Sequence, residues 1–233
     1  MSETWVPLEA SPDWAHSLGL PQALTFQDLL SLEPDFLSYV PQPVQAVLLL
    51  FPNPPGGDSL HATRLKEAHD APPWKGEDVW WVRQTIPNAC GSMSLLHALL
   101  NLPDGVLELD SALVKFKQDS LSLDPAARQK LLEEADFFRE AHTAATTAGQ
   151  SAIPEDLNVD GHFLAFVEAR NTEGEMRVIE LDGATRIGPF DQGPCTSLLH
   201  DGAAIVRDRY IAQAGEDIRF TLLVLAPAVE SNM

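Results

Sequence analysis

Gln84-Thr-Ile-Pro-Asn-Ala-Cys90-Gly-Ser-Met-Ser-Leu-Leu-His97-Ala-Leu-Leu100 runs from a polar, proline-bearing approach into an almost uninterrupted apolar stretch. Pro87, Asn88 and Gly91 read as a turn feeding a buried helix, which Asn101-Leu-Pro103-Asp-Gly105 then stops. Upstream, Asp78 to Gln84 carries Val79, Trp80, Trp81 and Val82 and reads as a strand ending at Gln84. This spacing predicts that Cys90 opens the helix. A thiol there gains from the macrodipole and from free backbone N–H groups, both of which favour thiolate. The Cys90 N–H would point toward any oxyanion formed at an attacked carbonyl, and Gln84 supplies a neutral side-chain donor at the end of the preceding strand.

Working outward, Val44 to Phe51 is an apolar run of strand length between prolines and predicts a central strand buried on both faces. Ahead of it, Trp5 to Ala10 reads as a short strand, Ser11 to Leu20 as a helix, and Phe26 to Leu30 as a short element. Asp124-Pro125 is an N-cap followed by proline, and Ala127, Leu131, Ala135 and Phe138 extend one helix beyond it. His142 to Val159 has no apolar period and predicts a long loop, a length that in a compact domain is usually functional or disordered. His162 to Arg170 and Met176 to Gly183 form a hairpin around a glycine-containing turn, and Phe220 to Ala226 is a last strand. With no repeat and no low-complexity tail, one mixed α/β domain accounts for residues 1–233.

A thiol nucleophile needs a base. His97 lies seven residues along the helix, about 10 Å from Cys90, and reads as a packing histidine. The hairpin is more informative: its paired positions sum to about 345 or 346, which sets Asp182 opposite Phe163 or Leu164, within two positions of His162. An aspartate so placed can orient an imidazole. The plainer alternative is a strand-terminal histidine beside an ordinary turn aspartate. Cys195 has no basic or helical context and reads as structural; His61, Arg64, Lys66 and His69 read as a solvated patch, and His142 and His200 as surface residues. The histidines make no His-Glu-x-x-His pattern, the two cysteines no Cys-x-x-Cys, so neither a zinc site nor a cofactor is expected.

Composition narrows the partners. The 45% hydrophobic and 21% charged residues are those of an ordinary globular chain, whose core needs no disulfide at this length. Against 15 Lys and Arg stand 34 Asp and Glu, a formal charge of −19 that disfavours nucleic acid and anionic membranes and favours a basic partner. The start of the sequence shows no cationic-then-apolar signal, and Ala46 to Phe51 falls far short of the roughly 20 residues of a membrane span. Two unpaired thiols, Cys90 and Cys195, then fit a cytoplasmic protein.

Gln84-Thr-Ile-Pro-Asn-Ala-Cys90-Gly-Ser, Gly161-His162-Phe-Leu-Ala-Phe-Val and Glu180-Leu-Asp182-Gly, in that order, resemble the signature of the ubiquitin C-terminal hydrolases, papain-like cysteine peptidases. Trp5-Val-Pro-Leu-Glu-Ala, Val47-Leu-Leu-Leu-Phe-Pro52 and Arg219 to Ala226 resemble further family segments, so the likeness covers nearly the whole chain. The resemblance implies an α+β fold, an antiparallel sheet flanked by helices, with a knotted backbone and a crossover loop at about 142–159. It implies Cys90 as nucleophile, His162 as base and then acid, Asp182 as its orienting partner and Gln84 as oxyanion donor. The partner would be ubiquitin, or a ubiquitin-like modifier, engaged by a monomer without cofactor or metal. Gly161 stands where the family often has an aromatic residue, which would loosen the backbone of His162, and Ser92 replaces a common threonine. Two other readings stay open: a ubiquitin-binding module with suppressed chemistry, and another Cys-His-Asp acyl transferase of transglutaminase type.

Overall fold

The computed structural model describes residues 12–54, 59–148 and 160–229. Helix α1 (Pro12–Ser17) leads to strand β1 (Leu24–Asp28), the short helix α2 (Pro34–Leu37) and strand β2 (Ala46–Pro52). Helices α3 (Leu60–Asp70), α4 (Cys90–Leu100), α5 (Ala112–Ser120), α6 (Pro125–Glu133) and α7 (Asp136–Ala148) follow. Strands β3 (Gly161–Arg170), β4 (Met176–Leu181) and β5 (Phe190–Pro194), helix α8 (Leu198–Ile205) and strand β6 (Thr221–Pro227) complete the order. All the strands pair antiparallel in one sheet, in the order β1-β6-β2-β3-β4-β5, which gives the expected α+β class.

The sheet is covered on both faces, and the period of two in its strands deals its side chains between two cores. Ala46, Leu48, Ala165, Val167, Ile179, Leu181, Leu223 and Leu225 join α4 and the α5–α7 helices. Val47, Leu49, Phe51, Leu164, Phe166, Val178, Leu222 and Val224 join Leu37 of α2 and Leu198, Leu199 and Ala203 of α8. Two-sided burial is why β2 reads as a continuous apolar run rather than an alternating one. The β3–β4 hairpin pairs Arg170 with Met176 and Phe166 with Glu180, the register predicted from the turn. Asn171 holds that turn, its side-chain oxygen accepting from the N–H groups of Glu173 and Glu175.

Four local readings change. Asp78 to Gln84 belongs to no strand, and it is held instead by α4: the Asn101 amide accepts from Trp80 N–H at 2.8 Å and donates to Trp80 O at 2.9 Å. The helix begun at Asp124 ends at Glu133, and a second begins at Asp136. Arg128 explains the break: it is buried on α6 and donates to Ser120 O and Leu121 O at the end of α5, so α6 packs by Arg128 and Leu132 rather than in one line through Phe138. The predicted loop at 142–159 is helical as far as Ala148, because alanine sustains a helix without an apolar period; 149–159 lie outside the described residues, as does the strand expected at Trp5 to Ala10. His142, expected on the surface, is buried one turn beyond Phe138.

The side chains of β2 are almost all buried and are divided between the two cores. Leu49→Ala, at a position 0% exposed, is expected to lower unfolding free energy by about 2–5 kcal/mol. Leu30→Ala, at a position 91% exposed, is expected to stay within about 0.5 kcal/mol. Urea unfolding of the two variants measures the contrast.

Candidate active site

Helix α4 is buried along its whole length, and Cys90 is its first residue. The chain enters it through Asn88, at φ 61°, and Ala89, which offers no side-chain cap, so the N–H groups of the first turn are left for other acceptors. His97 sits further along this helix with Nε2 3.2 Å from Val82 O, and burial pushes it down to about 4; it is the packing histidine expected. His97 and Asn101 together clamp residues 80–82 to α4 and so fix where Gln84 begins. The half-buried Gln84 donates from Nε2 to Ile86 O at 3.1 Å, its second amide hydrogen having no acceptor among the described residues, and its backbone N–H donates to Gly183 O at 2.8 Å.

The hairpin brings His162 and Asp182 together as its register requires. His162 Nε2 lies 2.7 Å from Asp182 Oδ1, with both residues buried. The carboxylate also accepts from Ala184 N–H at 2.7 Å, while Asp182 O accepts from Trp81 Nε1 and Thr185 Oγ1. A carboxylate only accepts, so Nε2 of His162 carries the proton and Nδ1 is the atom left for Cys90. Gly161 is paired with Pro52 in the ladder, and His162 is paired with Phe51. Ser92, two residues beyond the thiol on α4, is also buried.

Electrostatics follow from the geometry. Burial disfavours charge on all of these groups, and mutual attraction reverses that preference. For Asp182, His162 and His61 outweigh burial and hold the carboxyl well below the usual carboxylate range. For His162, burial is outweighed by Asp182 and by Cys90, and the imidazole is raised to about 10. For Cys90, burial is outweighed by His162 and by the N–H groups of Phe163 and Gly91, which lower the thiol. Cys195 behaves oppositely: burial and the neighbouring Glu168 push it up to about 12.

One member of the site is absent from the sequence reading. His61 on α3 is not part of a solvated patch; it is buried, its Nε2 is 2.8 Å from Asp182 Oδ2, and its ring stacks on that of His162 with centroids 4.1 Å apart and planes 26° apart. Phe51 meets both imidazoles edge-on. Arg64, assigned to the same patch, is buried beside Glu180 with Nη2 3.4 Å from Oε2. His61, Arg64 and Ala68 form the buried stripe of α3 at helical spacing, and Glu180 and Asp182 are two apart along one chain. Two bases at i and i+3 facing two acids at i and i+2 was the available signal; it was hidden because the stripe is polar. Donor atoms of His61, His162 and Asp182 lie within 4.8 Å of one another, as metal ligands would, but here they hydrogen-bond to each other.

A helix-borne thiol facing an imidazole that is anchored on a buried carboxylate puts the chain in the class of thiol hydrolases. It belongs, more narrowly, to the ubiquitin carboxyl-terminal hydrolase family 1, whose family model matches residues 5–211. A ubiquitin carboxyl-terminal hydrolase of Drosophila melanogaster is 33% identical, over 97% of this chain and 98% of the relative. Ubiquitin carboxyl-terminal hydrolase 3 of Arabidopsis thaliana is 31% identical, over 97% and 95%. The fold is similar to the crystal structure of the Trichinella spiralis UCH37 catalytic domain bound to ubiquitin vinyl methyl ester, with a TM-score of 0.73, 21% identity and 98% of each chain covered. Among the described residues no helix is long and apolar enough to cross a membrane.

The lowered thiol has a measurable sign. Thiolate is the alkylated form, so Cys90 is expected to react with iodoacetamide at a pH below the usual thiol range of roughly 8–9. Cys195, pushed up to about 12, should stay unmodified. In His162→Ala the cation that favours thiolate is gone, and the Cys90 profile is expected to move to higher pH. Mass spectrometry of timed alkylation reads both sites separately.

Proposed function

We propose that the chain is a deubiquitinating cysteine peptidase that hydrolyses ester, amide or peptide bonds at the C-terminal glycine of ubiquitin. The observation that carries this is the Cys90–His162–Asp182 coupling in a chain of this family. Cys90 thiolate attacks the glycine carbonyl carbon, and the C=O electron pair moves to oxygen. The Cys90 N–H and the second Gln84 amide hydrogen stabilise that oxyanion. Collapse re-forms the carbonyl and breaks the bond to the leaving amine, which takes its proton from the His162 imidazolium. Water then gives a proton to His162 and adds to the thioester; collapse expels Cys90 thiolate and frees ubiquitin's carboxyl group.

Asp182 keeps His162 in the Nε2–H tautomer and balances its charge in both steps. The same reading makes the chain a single catalytic domain that acts as a monomer in the cytoplasm, where unbridged Cys90 and Cys195 persist. The −19 charge suits ubiquitin, whose binding face and tail are basic.

Purified protein is expected to hydrolyse a fluorogenic ubiquitin C-terminal amide, and Cys90→Ala to abolish this; normal turnover by that variant would overturn the assignment. Gln84→Ala is expected to lower kcat by about 10²- to 10³-fold. An electrophilic ubiquitin probe should label Cys90, whereas tight binding without labelling would mark a binding module. KM should rise steeply with salt, and a salt-independent KM would confine the acidic excess to solubility.

A further inference from the structure

We propose that His61 is a positioning residue of this site: an imidazole that fixes the second oxygen of Asp182 and backs the ring of His162. The proposal rests on the hydrolase reading for its kinetic part only. Three contacts carry it. His61 Nε2 donates to Asp182 Oδ2 at 2.8 Å, while His162 uses Oδ1 at 2.7 Å, so the two imidazoles hold the two oxygens of one carboxylate. The stacked rings, 4.1 Å apart, deny His162 the space to swing away from the plane in which it meets Asp182. Phe51 closes the edges of both.

Two stacked imidazoles that share one carboxylate cannot both be charged at low cost. Burial and the neighbouring His162 push His61 down, against the pull of Asp182, while His162 is pushed up. The groups facing His61 are Asp182 after β4 and His162 of β3, with Cys90 of α4 acting through His162. Arg64, one turn along α3, is already engaged by Glu67 and Glu180. A neutral His61 therefore works as a donor that never competes with His162 for the proton. Its own Nδ1 needs no proton for this, and it touches neither the thiol nor a reacting carbonyl in the proposed reaction.

His61→Phe keeps a ring against His162 and removes the donor; His61→Gln keeps an N–H close to the position of Nε2. On the ubiquitin amide, His61→Phe is expected to lose about ten- to a hundred-fold in kcat with KM within about twofold, and His61→Gln to recover most of it. The Cys90 alkylation profile should move to higher pH in the Phe variant, because a carboxylate free to turn holds His162 less firmly toward the thiol. Wild-type kcat and an unmoved profile in a folded Phe variant would overturn the proposal, as would equal losses in both variants. If the Phe variant does not fold, ¹⁵N-edited spectra of the wild type decide the matter: His61 must appear as the neutral Nε2–H tautomer with an exchange-protected proton, and a charged or rapidly exchanging ring overturns it. Absence of activity on ubiquitin in the wild type would instead remove the hydrolase reading and leave the alkylation and spectroscopic tests of His61 standing.

Discussion

Asp182 imposes the constraint around which this end of the molecule is built. A carboxylate 2% exposed is costly unless its charge is balanced and its lone pairs are filled, and here both oxygens are occupied. Meeting that demand requires α3 to reach the open end of the β3–β4 hairpin, and it requires the turn after β4 to fold back on itself through Ala184 and Thr185. The protonation states of His162 and Cys90 then follow from that charge. Had the carboxylate been exposed, solvent would have screened it and the thiol would have kept its ordinary affinity for the proton.

Alongside this pair runs a second one. Glu180, two residues before Asp182, faces Arg64, three residues after His61, and Gln192 of β5 donates to the same Glu180 oxygen. Arg64 also lies over the ring of Tyr210, 5.0 Å from its centroid. The helix α3 is thus docked by polar contacts where other helices use leucines, and those contacts sit beside the reactive groups. Directional bonds fix an element's rotation and height more narrowly than apolar contact does, which suits a helix that presents His61.

How much of this was legible depends on what kind of signal each element left. Strand β2, helix α4 and the β3–β4 register were readable because apolar runs, a turn before a helix, and hairpin pairing are local or near-local patterns. His162 and Asp182 were paired by arithmetic on one hairpin. His61 was not reachable in that way: 121 residues separate it from Asp182, and a polar stripe on a buried face mimics a solvated one. His142 was missed because it opens a segment with no apolar period, and the end of α6 because an arginine that caps a neighbouring helix looks like any charged surface residue. Gln84 was given a strand it does not have; the clamp from Asn101 and His97 is a tertiary feature that no short window contains.

At Gly183 a side chain would begin 3.0 Å from Cβ of Gln84, and the Gly183 carbonyl accepts the Gln84 N–H. The two segments that carry Gln84 and Asp182 are therefore in backbone contact, with nothing between them to act as a spacer. Displacement of either segment is transmitted to the other, so in evolution the position of the amide and the position of the carboxylate are not separately adjustable. A lineage wishing to move one would have to move both, or first lose the glycine that welds them.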